Sequence, residues 1–271
     1  MSGFEIFHSF PEAVTAGIII AATCSFLGVF IVLKRLVFIG ATLSEVATCG
    51  LAASLYFHIH PFLGAVAFTL AAVTLLAFTQ EEYRVPSDAI MAVLFILSSS
   101  LAILLVSKSS FGLDEVKSFL YGDLILTSRT DLKILFLSIV PTSAIALIFM
   151  RPITYTFVDR DESKVLGIKV RLWELLFYYM MGIVISAASK LGGMLLVFCF
   201  LVVPPVTGLI LSNRLAGAIL ISLAAAIFST LTGFYFSYTQ DLPANQVIAV
   251  MACIILGVSF LMKYFLSLIK K

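Results

Sequence analysis

Apolar runs and short polar breaks alternate along nearly the whole chain. The runs cover about residues 13–33, 41–57, 61–80, 88–107, 132–150, 173–190, 192–212, 215–236 and 243–266. Each is close to the roughly 17 to 25 residues that a helix needs to span about 30 Å of hydrocarbon. A transmembrane β-barrel would instead show alternating segments of about ten residues, and the chain has no such rhythm. The pattern predicts an all-α, polytopic transmembrane helical bundle of about nine helices, a single domain over 1–271. Residues 111–130, FGLDEVKSFLYGDLILTSRT, are amphipathic and interrupted. They predict an interfacial or re-entrant helix rather than a span.

One stretch stands apart. Between Arg151 and Arg171, RPITYTFVDRDESKVLGIKVR carries five basic and three acidic residues in twenty-one positions. Such a density of charge belongs in water, and a charged connector between spans is a natural docking site for a soluble partner. Asp159 is placed as a helix N-cap, Glu162 three residues on as its capping-box partner, and Gly167 as the C-terminal stop. Asp159 to Gly167 therefore predicts a short helix lying across the membrane surface. The plainer reading is a solvated connector with no partner.

Composition agrees with the pattern. The chain is 61% hydrophobic and 12% charged, with mean hydropathy +1.13, far from the balance of soluble domains. The formal net charge of +2 gives no reason to expect nucleic acid. The residues before Gly17 hold Glu5 and Glu12 but no Lys or Arg. No secretory n-region is formed, so the first run is expected to be retained. With the N-terminus outside, twelve basic residues, among them Lys34, Arg35, Arg151, Arg171, Arg214 and Lys263, face the cytoplasm and five face out. The positive-inside rule favours that orientation, which places Arg151–Arg171 and the C-terminus in the cytoplasm of a bacterial inner or plasma membrane. Cys24, Cys49, Cys199 and Cys253 all fall inside spans and show no C-x-x-C pairing, so burial by packing is their default role.

Polar residues inside the spans are the candidate chemistry. Glu45 is the acidic residue most clearly within a run, and an ionisable group at that depth is costly unless it faces the bundle interior or a wet cavity. Ala41, Ser44, Glu45, Thr48, Cys49 and Ala52 follow at steps of three or four, forming one small and polar stripe opposite Leu43, Val46 and Leu51. The stripe is either a close-packing face that satisfies Glu45 or part of a transport path. Glu45 and Cys49, one turn apart, can both reach one cation, and an oxygen with a sulfur suits a transition metal better than magnesium. Two ligands do not complete a site. Pro204 and Pro205 sit near the centre of GGMLLVFCFLVVPPVTGLIL and remove backbone donors, which predicts a kink or break; broken helices commonly mark substrate paths. His58 and His60 flank a turn, and Asp241, Asn245 and Gln246 precede the last span. Both groups read equally well as ordinary interfacial polarity.

No Walker A, H-E-x-x-H or G-x-S-x-G element occurs. The chain is not expected to be an enzyme, and any ATPase driving it must be another polypeptide. Four stretches in order resemble the permease subunit of bacterial ABC importers for zinc, manganese and iron, the metal ABC-3 permease family. FLGVFIVLKRLVFIGATLSEVATCG resembles its first helix, basic turn and G-D-A-L-S-H-A-x-x-x-G segment. SFLYGDLILTSRTDL resembles its L-F-G-D-I-L-x-x-x-x-x-D-L stretch. FVDRDESKVLGI is similar to its F-D-x-E-x-A-x-x-x-G cytoplasmic element, and GGMLLVFCFLVVPPVTGLIL to its proline-containing helix.

The resemblance implies a permease that pairs with a second, identical or related permease and binds two ABC ATPase subunits. It also implies metal delivery by an extracytoplasmic binding protein. The divalent metal would be cargo, no cofactor would be permanently bound, and ATP would be held by the partner. Asp159, Glu162, Val165 and Gly167 would belong to the coupling helix that meets the ATPase. Where the family has an Asp and a His four residues apart, this chain has Ala41 and Glu45; one ligand is lost, one is changed, and the metal is left open. The alternative is an ion-coupled secondary transporter or channel working without an ATPase.

Overall fold

In the computed structural model, residues 10–79, 86–107, 122–158, 163 and 169–269 are described. The α-helices are α1 (Pro11–Leu33), α2 (Phe38–Tyr56), α3 (Pro61–Thr79), α4 (Ser87–Ser107), α5 (Arg129–Ile148), α6 (Met150–Val158), α7 (Val170–Leu211), α8 (Leu215–Gln240) and α9 (Ala244–Ile269). A single 3-10 turn, Leu124–Leu126, precedes α5, and no strand occurs among the described residues. Seven of these helices are long and apolar enough to cross a membrane, and Pro61–Ala77 is a shorter apolar one.

α7 accounts for two crossings. Its 42 residues would measure about 63 Å at 1.5 Å per residue, twice the hydrocarbon thickness. It does not run straight. Phe30 of α1 stacks edge-on against Phe177 at 5.8 Å, while Gly28, half a turn away, meets the backbone of Leu201. Positions 177 and 201 would stand about 36 Å apart on one rod. Both touch the same turn of α1, so the chain reverses between them. The reversal is at Gly193, whose φ of 67° and ψ of 170° fall in a region that only glycine occupies readily. Gly122, at φ 62°, presses on it: a β-carbon there would lie 2.3 Å from Gly193 N. The Asn245 side chain donates to the Gly192 carbonyl at 3.0 Å and ties the hairpin tip to α9.

Gly193 thus falls at the boundary between the apolar runs 173–190 and 192–212, and the separate break expected at Pro204 and Pro205 does not interrupt the helix. Gly193 is the one residue within α7 with non-helical dihedrals, and both prolines stay in the helix, buried. Pro205 has no N–H to give the carbonyl of Leu201, four residues back. That freed carbonyl faces Gly28, where a β-carbon would sit 2.3 Å from the Leu201 oxygen and 2.6 Å from Pro205 Cγ. Pro205 and the Leu201 carbonyl make a close seam between α1 and α7 at Gly28.

α2 is the axis of the bundle. Every residue from Ile39 to Ser54 is buried, by α4 along one side and by α3 and α7 along the others. α4 and α9 lie at the periphery and expose Val93, Ile96, Leu97, Val250, Ile254 and Val258, faces fit for lipid rather than water. Charge concentrates at the ends. At the end holding Pro11, Arg129 pairs with Glu12 at 3.0 Å and Lys190 with Asp131 at 2.5 Å. At the end holding Leu33, Lys34 pairs with Glu174 at 2.5 Å and Lys263 donates to the Ile210 carbonyl at 2.6 Å. Most of 111–130 lies outside the described residues; its described part is the 3-10 turn, capped by the Asp123 carboxylate on Ile125 N–H, and the start of α5. There Ser128 and Asp131 form a capping box, which starts α5 at Arg129, three residues before the apolar run.

Candidate functional site

The polar stripe of α2 lies in the seam with α4. Thr42 Oγ1 reaches the Met91 carbonyl of α4 at 3.3 Å, Ser99 hydrogen-bonds the Glu45 carboxylate, and Cys49 packs with Ala52, Ala102 and Val106. Successive turns of α2 thus face successive turns of α4, as i and i+4 spacing on two packed helices requires. Thr48 spends its hydroxyl on the Ser44 carbonyl at 3.1 Å.

Glu45 is only 1% exposed, and its Oε2 and the neighbouring Ser44 Oγ have no hydrogen-bond partner among the described residues. Buried polar atoms are ordinarily satisfied, and leaving one unmade costs about 1–3 kcal/mol. The seam therefore offers an unspent carboxylate oxygen, a hydroxyl and, one turn on, the Cys49 thiol. Among the described residues no cluster of three or more His, Cys, Asp and Glu is suited to a metal. One protomer supplies two candidate ligands, short of the closed set of four that holds zinc permanently.

Ser99 was not legible as a partner beforehand. The signal was the run Ser98–Ser99–Ser100 in the middle of an apolar span, where hydroxyls are glue between helices.

The other candidates lie apart from this seam. His58 and His60 are exposed at the α2–α3 turn. Asp241 is exposed in a left-handed cap of α8, and Asn245 is a buried clamp on the hairpin tip rather than the lip of a mouth. Asp159, Glu162, Val165 and Gly167 lie outside the described residues. Ser163, between them, is described and is fully buried. Just before that segment, Phe157 of α6 packs against Phe177 at 4.6 Å and against Phe30 and Tyr178 at 6.3 Å. Lys34 Nζ sits 4.6 Å above the Phe157 ring and 5.4 Å from that of Tyr178.

Among the described residues, seven helices long and apolar enough to cross a membrane, one of them the buried polar α2, define a multi-pass α-helical membrane protein with a carboxylate held in its interior. Residues 7–263 match the ABC 3 transport family, and the chain belongs to it. It is 25% identical over 249 residues to the manganese transport system membrane protein MntC of Halalkalibacterium halodurans, covering 92% of this chain and 85% of that one. It is 28% identical over 257 residues to the high-affinity zinc uptake system membrane protein ZnuB of Buchnera aphidicola subsp. Schizaphis graminum, covering 94% and 95%. The fold matches the structure titled "PsaBC from Streptococcus pneumoniae in complex with Fab" with a TM-score of 0.86, at 20% identity over 95% of this chain and 94% of that one.

Proposed function

We propose that this chain is the permease subunit of an ATP-driven importer of a divalent transition metal, with Glu45 touching the cation in transit and Cys49 as its companion one turn away. The observation that carries this is the unspent Glu45 oxygen, buried on the most enclosed helix of a protein in this transport family. A carboxylate kept dry at the centre of a bundle is expensive as structure and useful as a way-station. Relatives named for manganese and zinc transport support the cargo class. The metal is substrate, and no cofactor is held permanently.

ATP is bound by separate ATPase subunits, an extracytoplasmic binding protein delivers the metal, and a second permease, identical or related, completes the path. The ATPase docks on the segment around Asp159, Glu162, Val165 and Gly167. Lys34, Arg35, Arg151, Arg171, Arg214 and Lys263 gather at the Leu33 end, which supports a cytoplasmic position for that end and an outer N-terminus. Pro204 and Pro205 contribute to the path by holding α1 against α7.

The test is metal uptake by cells carrying Glu45→Ala at wild-type membrane abundance. Uptake is expected to fall to background, and unchanged uptake removes Glu45 from the path. An ATPase should co-purify with the wild-type chain and be lost on disrupting Val165 or Gly167. Transport by the purified chain alone would overturn the ATP-driven reading.

A further inference from the structure

The Leu33 end holds a buried charge pair that the proposed path does not use. Lys34 and Glu174, 140 residues apart, meet at 2.5 Å with side chains only 19% and 8% exposed. Phe157 and Tyr178 flank the ammonium, and Phe30 and Phe177 close the aromatic cluster behind them. A buried ion pair seldom stabilises a fold beyond what apolar residues of the same volume would do, so its position is the informative feature.

Three elements converge on it. Lys34 caps α1, in a turn fixed by backbone hydrogen bonds from Lys34 to Phe30, Arg35 to Val32 and Leu36 to Ile31. Arg35 adopts φ 58° within that turn, and α2 begins at Phe38. The turn is thus a short, hydrogen-bonded handle on the helix that carries Glu45. Glu174 lies on α7, one turn before Phe177 and Tyr178. Phe157 lies in the last turn of α6, just before the charged segment from Asp159.

We infer that Lys34 and Glu174 are a positioning pair, clamping the α1–α2 turn to α6 and α7 so that displacement of the charged segment is passed to the helix bearing Glu45. This rests on the permease reading above. Neither residue touches the cargo. The cation over Phe157 couples the turn to α6, and the carboxylate couples it to α7. Removing both charges leaves the packing and loses the clamp.

The experiment uses the assembled transporter in proteoliposomes, comparing wild type with Lys34→Met/Glu174→Leu, the double change that removes both charges of the pair together. Metal uptake per ATP hydrolysed is expected to fall about tenfold or more, a usual size for energetic coupling between sites, while ATP hydrolysis and assembly are retained. In parallel, spin labels at the exposed positions Arg35 and Tyr155 report the distance between the turn and α6. That distance is expected to stay constant across nucleotide states in the wild type and to vary in the double variant. Wild-type coupling in the double variant, or a wild-type distance that changes as much as the variant's, overturns the clamp. Absence of any ATP-dependent uptake by the wild type sinks the permease reading instead, and the two failures are told apart by that control.

Discussion

Gly28 of α1 faces the carbonyl of Leu201 so closely that a β-carbon would lie 2.3 Å from its oxygen. Two features of the sequence make this contact. Pro205 cannot hydrogen-bond that carbonyl, and glycine at position 28 leaves room for it. Gly28→Ala must push backbone against backbone, since the obstructing atom belongs to the main chain of α7. The expected loss is about 1–3 kcal/mol, as for overpacking elsewhere, read as a lower midpoint of thermal unfolding in detergent. An unchanged midpoint would mean that the α1–α7 seam yields freely.

The hairpin tip is the second strained contact. Gly193→Ala forces a side chain into φ 67°, ψ 170°, at a cost of about 1–3 kcal/mol. Asn245→Ala removes the donor to the Gly192 carbonyl and should cost about 1 kcal/mol. Thermal unfolding of the two variants should preserve that order. The reverse order would show that α9, and not the backbone conformation, holds the reversal in place.

Ion pairs at the Pro11 end should differ in worth. Arg129 is 88% exposed where it meets Glu12, whereas Lys190 and Asp131 are 26% and 20% exposed. Asp131 also closes the capping box with Ser128. Asp131→Ala is expected to destabilise by about 1–2 kcal/mol through cap and pair together. Glu12→Ala should leave the midpoint where it was, because an exposed pair is screened by solvent. Equal shifts for both, or a Glu12→Ala loss that vanishes only in high salt, would contradict this ranking.

Much of the bundle is legible in the chain because lipid imposes length. Each of the nine apolar runs falls on a described helical segment, including 173–190 and 192–212, which α7 joins through Gly193. Pro204 and Pro205 lack donors yet do not break the helix, because the freed Leu201 carbonyl is met by the close approach of Gly28. Glu45 was legible as buried, since no lipid-facing position tolerates it cheaply. Its partner Ser99 was not, because helix spacing fixes which residues share a face and says nothing of which face another helix meets. The same holds for Lys34 and Glu174: each looks like an interfacial charge alone, and only the fold brings them together across 140 residues.

Cys49 is where the proposed metal preference of the seam can be tested. Its thiol is buried beside Ala52, Ala102 and Val106, one turn from Glu45, so it serves either as a small apolar filler or as a ligand. Thiolates favour zinc over manganese, while carboxylate and hydroxyl oxygens suit manganese. If the thiol contacts the cargo, Cys49→Ser exchanges a soft donor for a hard one with little change in volume. Competition uptake should then shift from zinc toward manganese by about tenfold, equivalent to about 1.4 kcal/mol of differential binding, with total membrane abundance unchanged. Ser99→Ala should leave that preference alone and weaken uptake of both metals, because it removes only the hydrogen bond that orients Glu45. A competition profile in Cys49→Ser that overlays the wild type would assign the thiol to packing, and Glu45 would then be the seam's one charged contact with the cation.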